Sequence, residues 1–274
     1  MKKLIILTIT HLFYTGLQAQ RSIDFTDISI IEISPNGNVW VGSVAGGCAA
    51  YFAATQQWNG FTTANSSMRS DSVTAISLYT INGVAHSFMG SKNGIGFRYG
   101  NNNWDTIPDL VSRSITDIVR SQASNQLFVA TNEGISYYND TSLMYQGDIT
   151  TANSTIPSNK VTCFNSKPLT CAGFYAGTAD TGYFFTTDGV NFTHKTTGNS
   201  NLIDNRVNCI YVNNDCSGDV LAGTKGGLSV CNSNTCTNFT TQNGLPENDV
   251  TALEKDCKGN IWIGTANNGR SEEH

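Results

Sequence analysis

The sequence predicts an all-β fold, a propeller of four-stranded blades, on three observations. A short apolar pattern returns six times at near-equal spacing, a second pattern runs in phase with it, and Gly- and Asn-rich turns separate the two. Composition agrees. Charged residues make up 14% of the 274, against roughly 25% in an average soluble domain, which disfavours long surface helices. Apolar residues at 39% and aromatics at 10% suffice for a core and exclude a disordered chain.

The chain opens with Met1-Lys2-Lys3, an apolar run from Leu4 to Leu17, then Gln18-Ala19-Gln20. Charged start, apolar middle and small-residue end are the parts of a cleaved export signal. The run is shorter than the ~20 residues a membrane span needs. Residues 1–20 therefore read as a signal peptide and 21–274 as one propeller domain, periplasmic or secreted, with no membrane anchor in this chain. Without Lys2 and Lys3 the balance is 14 basic against 21 acidic residues, a net −7. An acidic chain with no basic stripe is not a nucleic-acid binder.

The first pattern is an alternating apolar stretch that ends in Gly or Ala followed by Thr or Ser. It occurs as Val39-Trp40-Val41-Gly42-Ser43, Ser87-Phe88-Met89-Gly90-Ser91 and Leu127-Phe128-Val129-Ala130-Thr131. It returns as Phe174-Tyr175-Ala176-Gly177-Thr178, Val220-Leu221-Ala222-Gly223-Thr224 and Ile261-Trp262-Ile263-Gly264-Thr265, a period of about 44 residues. The second pattern, apolar-polar-any-apolar, starts the repeat units near Ile28, Val73, Ile115, Val161, Val207 and Val250. Turns such as Pro35-Asn36-Gly37-Asn38 and Asp256-Cys257-Lys258-Gly259-Asn260 join the two patterns as hairpins. After each anchor a Gly-containing turn leads to a third strand, for example Gly226-Gly227-Leu228-Ser229-Val230. An aromatic-Thr stretch supplies the fourth, as in Gly60-Phe61-Thr62-Thr63 and Asn238-Phe239-Thr240-Thr241. Four short strands in about 44 residues make one blade.

The sixth unit turns charged after Gly269, as Arg270-Ser271-Glu272-Glu273-His274. The expectation is five complete blades plus the first half of a sixth, truncated, with third and fourth strands absent. Ile23-Asp24-Phe25-Thr26 can supply one replacement strand, and an edge left open would pair with a partner strand.

Eight cysteines suit an oxidising compartment. Cys163/Cys171, Cys209/Cys216 and Cys231/Cys236 each straddle an expected hairpin, while Cys48 and Cys257 are left over. No C-x2-C pair occurs, so disulfides or buried thiols are expected rather than zinc. His86 and His194 stand isolated, and no sequence motif for a hydrolase, metalloprotease or phosphate loop is present. No cofactor, no metal and no catalytic residue are assigned. Thr187-Asp188-Gly189-Val190-Asn191-Phe192 resembles the Asp-box hairpin of sialidase-like propellers, a structural motif.

The stretch Thr240-Thr241-Gln242-Asn243-Gly244-Leu245-Pro246-Glu247-Asn248-Asp249-Val250, continued to Ile261-Trp262-Ile263-Gly264-Thr265, closely resembles the two-component regulator propeller repeat. The Ser66–Ser72 stretch departs from it by lacking Gly-Leu-Pro, and Ala130 replaces the anchor glycine. The resemblance implies a propeller fold and the ligand-sensing ectodomain of a bacterial regulatory system, often one that detects carbohydrate breakdown products. It also implies a membrane span and a sensor kinase region or partner, which this chain does not contain.

Loops flanking the first two strands of repeat units gather on one face and form the expected binding site. Candidate ligand-binding residues there are Arg113, Lys160, Arg206 and Asp249 before first strands, and Lys92, Glu133, Asp180 and Lys225 after anchors. Trp58 and Trp104 could stack on sugar rings, whereas Trp40 and Trp262 alternate within strands and are expected in the core. The expected function is an exported non-enzymatic propeller that binds an oligosaccharide or a protein. The alternatives are a stand-alone secreted or cell-surface interaction propeller, and a propeller lyase or glycosidase using central acids such as Glu133 and Asp180.

Overall fold

A computed structural model describes residues 27–100, 102–121, 124–165, 173–212, 219–232, 235–256, 258–268 and 270–273. The leader at 1–20, the Ile23–Thr26 stretch and Cys171, Cys216 and Cys257 lie outside the described residues. The chain is all-β, and its strands form successive antiparallel sheets in which each strand pairs with its chain neighbour.

The first sheet holds β1 (Ile28–Ile33), β2 (Val39–Ser43), β3 (Cys48–Phe52) and β4 (Gln57–Phe61). The second holds β5 (Val73–Ile81), β6 (Val84–Ser91), β7 (Gly94–Tyr99) and β8 (Asn103–Thr106). The third holds β9 (Ile115–Ser121), β10 (Gln126–Thr131), β11 (Gly134–Asn139) and β12 (Tyr145–Ile149). The fourth holds β13 (Val161–Phe164), β14 (Phe174–Thr178), β15 (Tyr183–Thr186) and β16 (Thr193–Lys195). The fifth holds β17 (Val207–Tyr211), β18 (Val220–Thr224), β19 (Leu228–Cys231) and β20 (Cys236–Phe239). The last has three strands, β21 (Val250–Lys255), β22 (Ile261–Thr265) and β23 (Arg270–Glu273). Two compact units divide between Ile118 and Val119. This sheet pattern is consistent with a β-propeller.

The expected first strands begin where the second pattern does, at Ile28, Val73, Ile115, Val161, Val207 and Val250. The anchors sit near the ends of the second strands, and their chemistry explains the pattern. In three sheets the Ser or Thr hydroxyl after the anchor donates to the carbonyl of the glycine at the start of the third strand. The bonds are Ser91 to Gly94 (2.9 Å), Thr131 to Gly134 (3.0 Å) and Thr224 to Gly227 (2.8 Å). The same hydroxyls accept a loop N–H, from Asn93, Glu133 and Gly226 respectively. One hydroxyl thus satisfies both sides of a tight turn.

The anchor is small because the next sheet packs onto it. A Cβ at Gly42 would lie 2.8 Å from Val73, at Gly90 2.7 Å from Ile115, at Gly177 2.8 Å from Val207 and at Gly223 2.7 Å from Val250. Those four opening residues are at most 1% exposed. The polar residue that follows the opening position binds the next sheet's backbone. Ser29 donates to the Val73 carbonyl (2.6 Å), Thr74 to Ile115 (2.6 Å), Thr162 to Val207 (2.5 Å) and Asn208 to Val250 (3.0 Å).

The sequence reading is corrected in two places. The last sheet has a third strand, β23, whose backbone pairs Gly264 with Arg270 and Ile261 with Glu273. Ladder hydrogen bonds tolerate its charged sequence because they come from the main chain. The aromatic-Thr stretches are also not strands throughout: β4 ends at Phe61 and β20 at Phe239. The Thr-Thr pair starts a connector whose N–H groups bond side chains instead. Thr62, Thr150, Thr196 and Thr240 donate to Asn65, Asn153, Asn199 and Asn243. Thr63, Thr151, Thr197 and Thr241 donate to Asp71, Asn159, Asn205 and Asn248. The Ser66–Ser72 stretch, read as a departure, therefore builds the same connector. In the fourth-to-fifth connector a four-residue helix, α1 (Thr197–Ser200), ends on Asn201 at φ 60°. In the fifth-to-sixth connector a 3-10 turn ends on Gly244 at φ 105°, a value that favours glycine.

Candidate functional site

Pairing of first and second strands brings the loop before one and the loop after the other to the same end of each sheet. Val161 opposes Thr178 and Val207 opposes Thr224. The backbone then closes that end: Ala179 donates to the Lys160 carbonyl (3.0 Å), Lys225 to Arg206 (3.1 Å) and Ala266 to Asp249 (2.9 Å). Within each of these sheets the two loops therefore lie at the same end.

The Lys160 ammonium and the Asp180 carboxylate form an ion pair at 3.2 Å, both exposed. Burial alone would raise the Asp180 pKa, but hydrogen bonds from Ser158, Lys160 and Thr181 and the Lys160 charge outweigh it and hold the carboxyl below its usual value. Arg206 is exposed, its N–H donating to Asp204 Oδ1 at 2.8 Å, and Lys225 is exposed beside it in chain pairing. Asp249 is half-buried and accepts from Asn208 Nδ2 at 2.9 Å. Glu133 and Lys92 are exposed in the loops after β10 and β6, and Arg113 is half-buried before β9. The structure therefore joins Lys160 with Asp180 and Arg206 with Lys225.

Sequence reasoning missed Glu247. Its carboxylate accepts from the Asn267 N–H (2.7 Å), the Asn267 side chain (3.0 Å) and the Asn268 N–H (3.1 Å), and those bonds hold its pKa down. The signal available was its place in Leu245-Pro246-Glu247-Asn248, immediately before the polar positions already singled out.

Two acidic turns are occupied by their own chains. Asp188 accepts from the backbone N–H groups of Asn191 (2.8 Å) and Val190 (2.9 Å) and from the Asn191 side chain (2.7 Å). These bonds hold its carboxyl well below the usual carboxylate range. Asp256 accepts from the N–H groups of Lys258 and Asn260 and from Trp262 Nε1 (3.2 Å). These bonds make the stretch a hairpin turn closed by Asp256, as its sequence suggested. It also corrects the placement of Trp262, which is half-buried and caps this turn. Trp40 is 2% exposed, as expected of core, and stacks on Phe61 with centroids 5.7 Å apart.

Trp58 and Trp104 are half-buried and already packed, against Tyr51 (5.4 Å) and Phe61 (5.1 Å). His86 lies against Phe88, Phe97 and Tyr99, and His194 is exposed in β16. A disulfide joins Cys231 to Cys236 across β19 and β20, as their spacing suggested. Cys48 is a buried thiol next to Met68 Sδ at 3.7 Å, and burial pushes its pKa up. Among the described residues no three His, Cys, Asp or Glu side chains are placed to hold a metal ion. Among them also no helix is long and apolar enough to cross a membrane.

Comparison with known proteins places this geometry. Residues 244–267 match the family described as two component regulator propeller. No curated protein matches the chain. Among solved structures it is similar to the extracellular domains of two proteins from B. thetaiotaomicron named as hybrid two component systems. Identity is 15% and 17%, TM-scores are 0.52 and 0.51, and 94% of this chain is covered in each case. The chain spans 40% and 39% of the length of those domains. It is also similar to virginiamycin B lyase from Staphylococcus aureus, at 12% identity and TM-score 0.65 over 90% of this chain and 84% of that one. At such identities the likeness is one of fold. The chain thus carries a two component regulator propeller repeat at residues 244–267, within an all-β architecture shared with extracellular domains of two component systems.

Proposed function

We propose that this chain is the ligand-binding part of an exported, non-enzymatic sensor propeller, and that it binds an oligosaccharide or a protein partner through the loops before first strands and after second strands. The observation that carries the reading is the regulator-propeller repeat at 244–267, together with a loop end held rigid by backbone bonds yet lined with exposed polar side chains. Arg206, Lys225 and the Lys160–Asp180 pair offer donors and an acceptor to sugar hydroxyls or to peptide groups. Anchors that bury β-branched residues keep those loops in place, and a preorganised site loses less entropy on binding. In this reading the five four-stranded sheets and the three-stranded one are blades of a larger propeller. A membrane span and a kinase region, or a partner that has them, carry the signal onward.

The test is a thermal-shift and calorimetry panel of oligosaccharides against the purified chain. A ligand that raises Tm is expected, with its effect reduced at least tenfold by the double variant Arg206→Ala/Lys225→Ala, which alone melts like the parent. Turnover of a polysaccharide by the purified chain, lost in Glu133→Gln or Asp180→Asn, would overturn the non-enzymatic reading in favour of a propeller lyase or glycosidase.

A further inference from the structure

At the loop end of the fourth, fifth and sixth sheets these acids are engaged and two cations are not. Asp180 accepts from Ser158, Lys160 and Thr181 and pairs with the Lys160 ammonium. Asp204 accepts from the Arg206 N–H, Asp249 from Asn208 Nδ2, and Glu247 from Asn267 and Asn268. The Arg206 guanidinium and the Lys225 ammonium are exposed and, among the described residues, make no hydrogen bond or ion pair.

The backbone sets these two cations opposite each other. The Lys225 N–H donates to the Arg206 carbonyl at 3.1 Å, one step beyond the paired Val207 and Thr224 at the ends of β17 and β18. The loop after Lys225 is fixed in turn. Gly226 donates to Thr224 Oγ1 at 3.1 Å, and its Cβ position lies 3.0 Å from the Asp204 Cβ. Like charges directly opposite across two strands repel. An anion between them would convert that repulsion into attraction.

Acids border the pair on two sides. Gly182, in the loop that carries Asp180, donates to the Asn205 carbonyl at 2.7 Å. Asp249 is bound by Asn208. Both acids are thereby tied to residues 205–208, and a carboxylate has lone pairs beyond those already used.

We infer that this loop end takes an acidic sugar, with the anionic group of one ring between Arg206 and Lys225 and ring hydroxyls donating to Asp180 and Asp249. The guanidinium fork fits an oxyanion through two parallel hydrogen bonds, and the ammonium adds a point charge. An acidic peptide brings the anion without the hydroxyl donors, and its further carboxylates would meet Asp180 and Asp249. The inference rests on the proposed reading of this end as the ligand site and names the chemical class that it takes.

Calorimetry with the purified chain tests it, using trigalacturonic acid, its methyl ester, a sulfated galactose trisaccharide and a hexaglutamate peptide. One or both acidic sugars should bind, and the tighter identifies carboxylate or sulfate as the anionic group. The methyl ester should bind more weakly than the free acid wherever the acid binds. Arg206→Gln and Lys225→Gln should each lower affinity for the acidic sugar about tenfold, the worth of a charge-assisted hydrogen bond. Both variants should melt no lower than the parent, since each removes one of two facing like charges. A lower Tm in both would assign the pair to the fold and overturn the inference. An ester that binds as tightly as the acid, or affinity for the acidic sugar unchanged in both variants, also overturns it. Hexaglutamate binding as tight as either acidic sugar overturns the sugar class. A neutral oligosaccharide that binds where neither acidic sugar does overturns this inference alone and leaves the ligand-binding reading standing. No binding by any sugar, neutral or acidic, overturns the oligosaccharide reading and this inference with it.

Discussion

The fifth and sixth sheets share an opening valine and a Gly-Thr anchor, and the two anchors have different described surroundings. Both have an opening valine, Val207 and Val250, both buried. Both have an anchor glycine followed by threonine, Gly223-Thr224 and Gly264-Thr265. Gly223 is enclosed between Cys209 Sγ of its own sheet and Val250 of the next. At Gly264 the three nearest atoms among the described residues all belong to Ala252 of its own sheet, at 3.2 Å and beyond. Among the described residues, the anchor glycine is thus tightly enclosed in one sheet and more loosely in the other. A repeat pattern marks where a contact is built to form, and only the neighbouring sheet decides whether it does form.

The largest effect expected from this difference is at the anchors. Gly223→Val forces a branched side chain into Cys209 and Val250, and overpacking of this kind should cost about 3 kcal/mol. Gly264→Val should cost under about 1 kcal/mol, since the nearest described atom to its Cβ position, the Ala252 Cβ, is 3.2 Å away. Urea unfolding of both variants reads the difference. Equal losses would mean that the two glycines have equivalent surroundings. Next in size, Val250→Ala leaves the Gly223 seat half-empty and should cost about 2 kcal/mol. Ile28→Ala, at a half-buried opening position, should cost clearly less in the same assay.

The fifth sheet also has a covalent brace. Cys231 opposes Cys236 in the ladder, so their disulfide closes the turn between β19 and β20. Reduction should cost roughly 2 kcal/mol by the chain-entropy argument for a short loop. Hydrogen exchange should show faster opening at Leu228–Phe239 than at Val250–Thr265 under reducing conditions. Uniform loosening of both sheets would show that the brace acts on the whole unit rather than on its own hairpin.

Part of this was legible in the sequence, for a physical reason. The opening residues and the anchors must satisfy a narrow steric fit, so residue type and spacing alone recovered every first-strand start. The connectors were less legible. Asn243 and Asn248 bond the N–H groups of Thr240 and Thr241, but a polar stretch does not announce which side chain reaches which amide. The parallel stretch with Asn65 and Asp71 lacks Gly-Leu-Pro and so looked different while folding to the same pattern. Strand β23 was missed because its residues are charged, whereas its pairing is a matter of backbone. At the candidate site, Lys160 and Asp180 were named separately. They meet because Val161 opposes Thr178, and register between strands is fixed by packing rather than by local sequence. Trp262, like Trp40, was placed in the core because it alternates within a strand, but the partners of Trp40, Phe52 and Phe61, come from the third and fourth strands of its sheet. The last sheet has no fourth strand among its described residues.

The connectors allow a finer comparison. Asn248→Ala removes the acceptor for Thr241 N–H, and Asn205→Ala does the same for Thr197. Each should cost about 1 kcal/mol, the usual worth of a side-chain cap on a backbone donor. The Asn205 carbonyl also accepts from Gly182 at 2.7 Å, a main-chain bond that the substitution keeps. Similar losses in the two variants would therefore assign the effect to the side-chain caps, whatever follows each connector.

The smallest expected effect separates the fourth sheet's loop end from the fifth's. Asp180 in the fourth is held below the usual carboxylate value by its hydrogen bonds and by Lys160. The corresponding position of the fifth sheet, Gly226, has no side chain to ionise. Because the folded pKa is depressed, the Asp180 contribution is present above the unfolded carboxylate pKa and is lost as pH falls through the folded one, on the acid side of about pH 4. Both partners are exposed, so after solvent screening the contribution should be only about 0.3 kcal/mol. Stability measured from pH 6 down to pH 2 should therefore fall slightly less steeply in Asp180→Asn than in the parent. The gap should close in 0.5 M salt, where screening extends only a few ångströms. A gap that survives high salt would instead assign the effect to the hydrogen bonds from Ser158 and Thr181, which depend little on ionic strength.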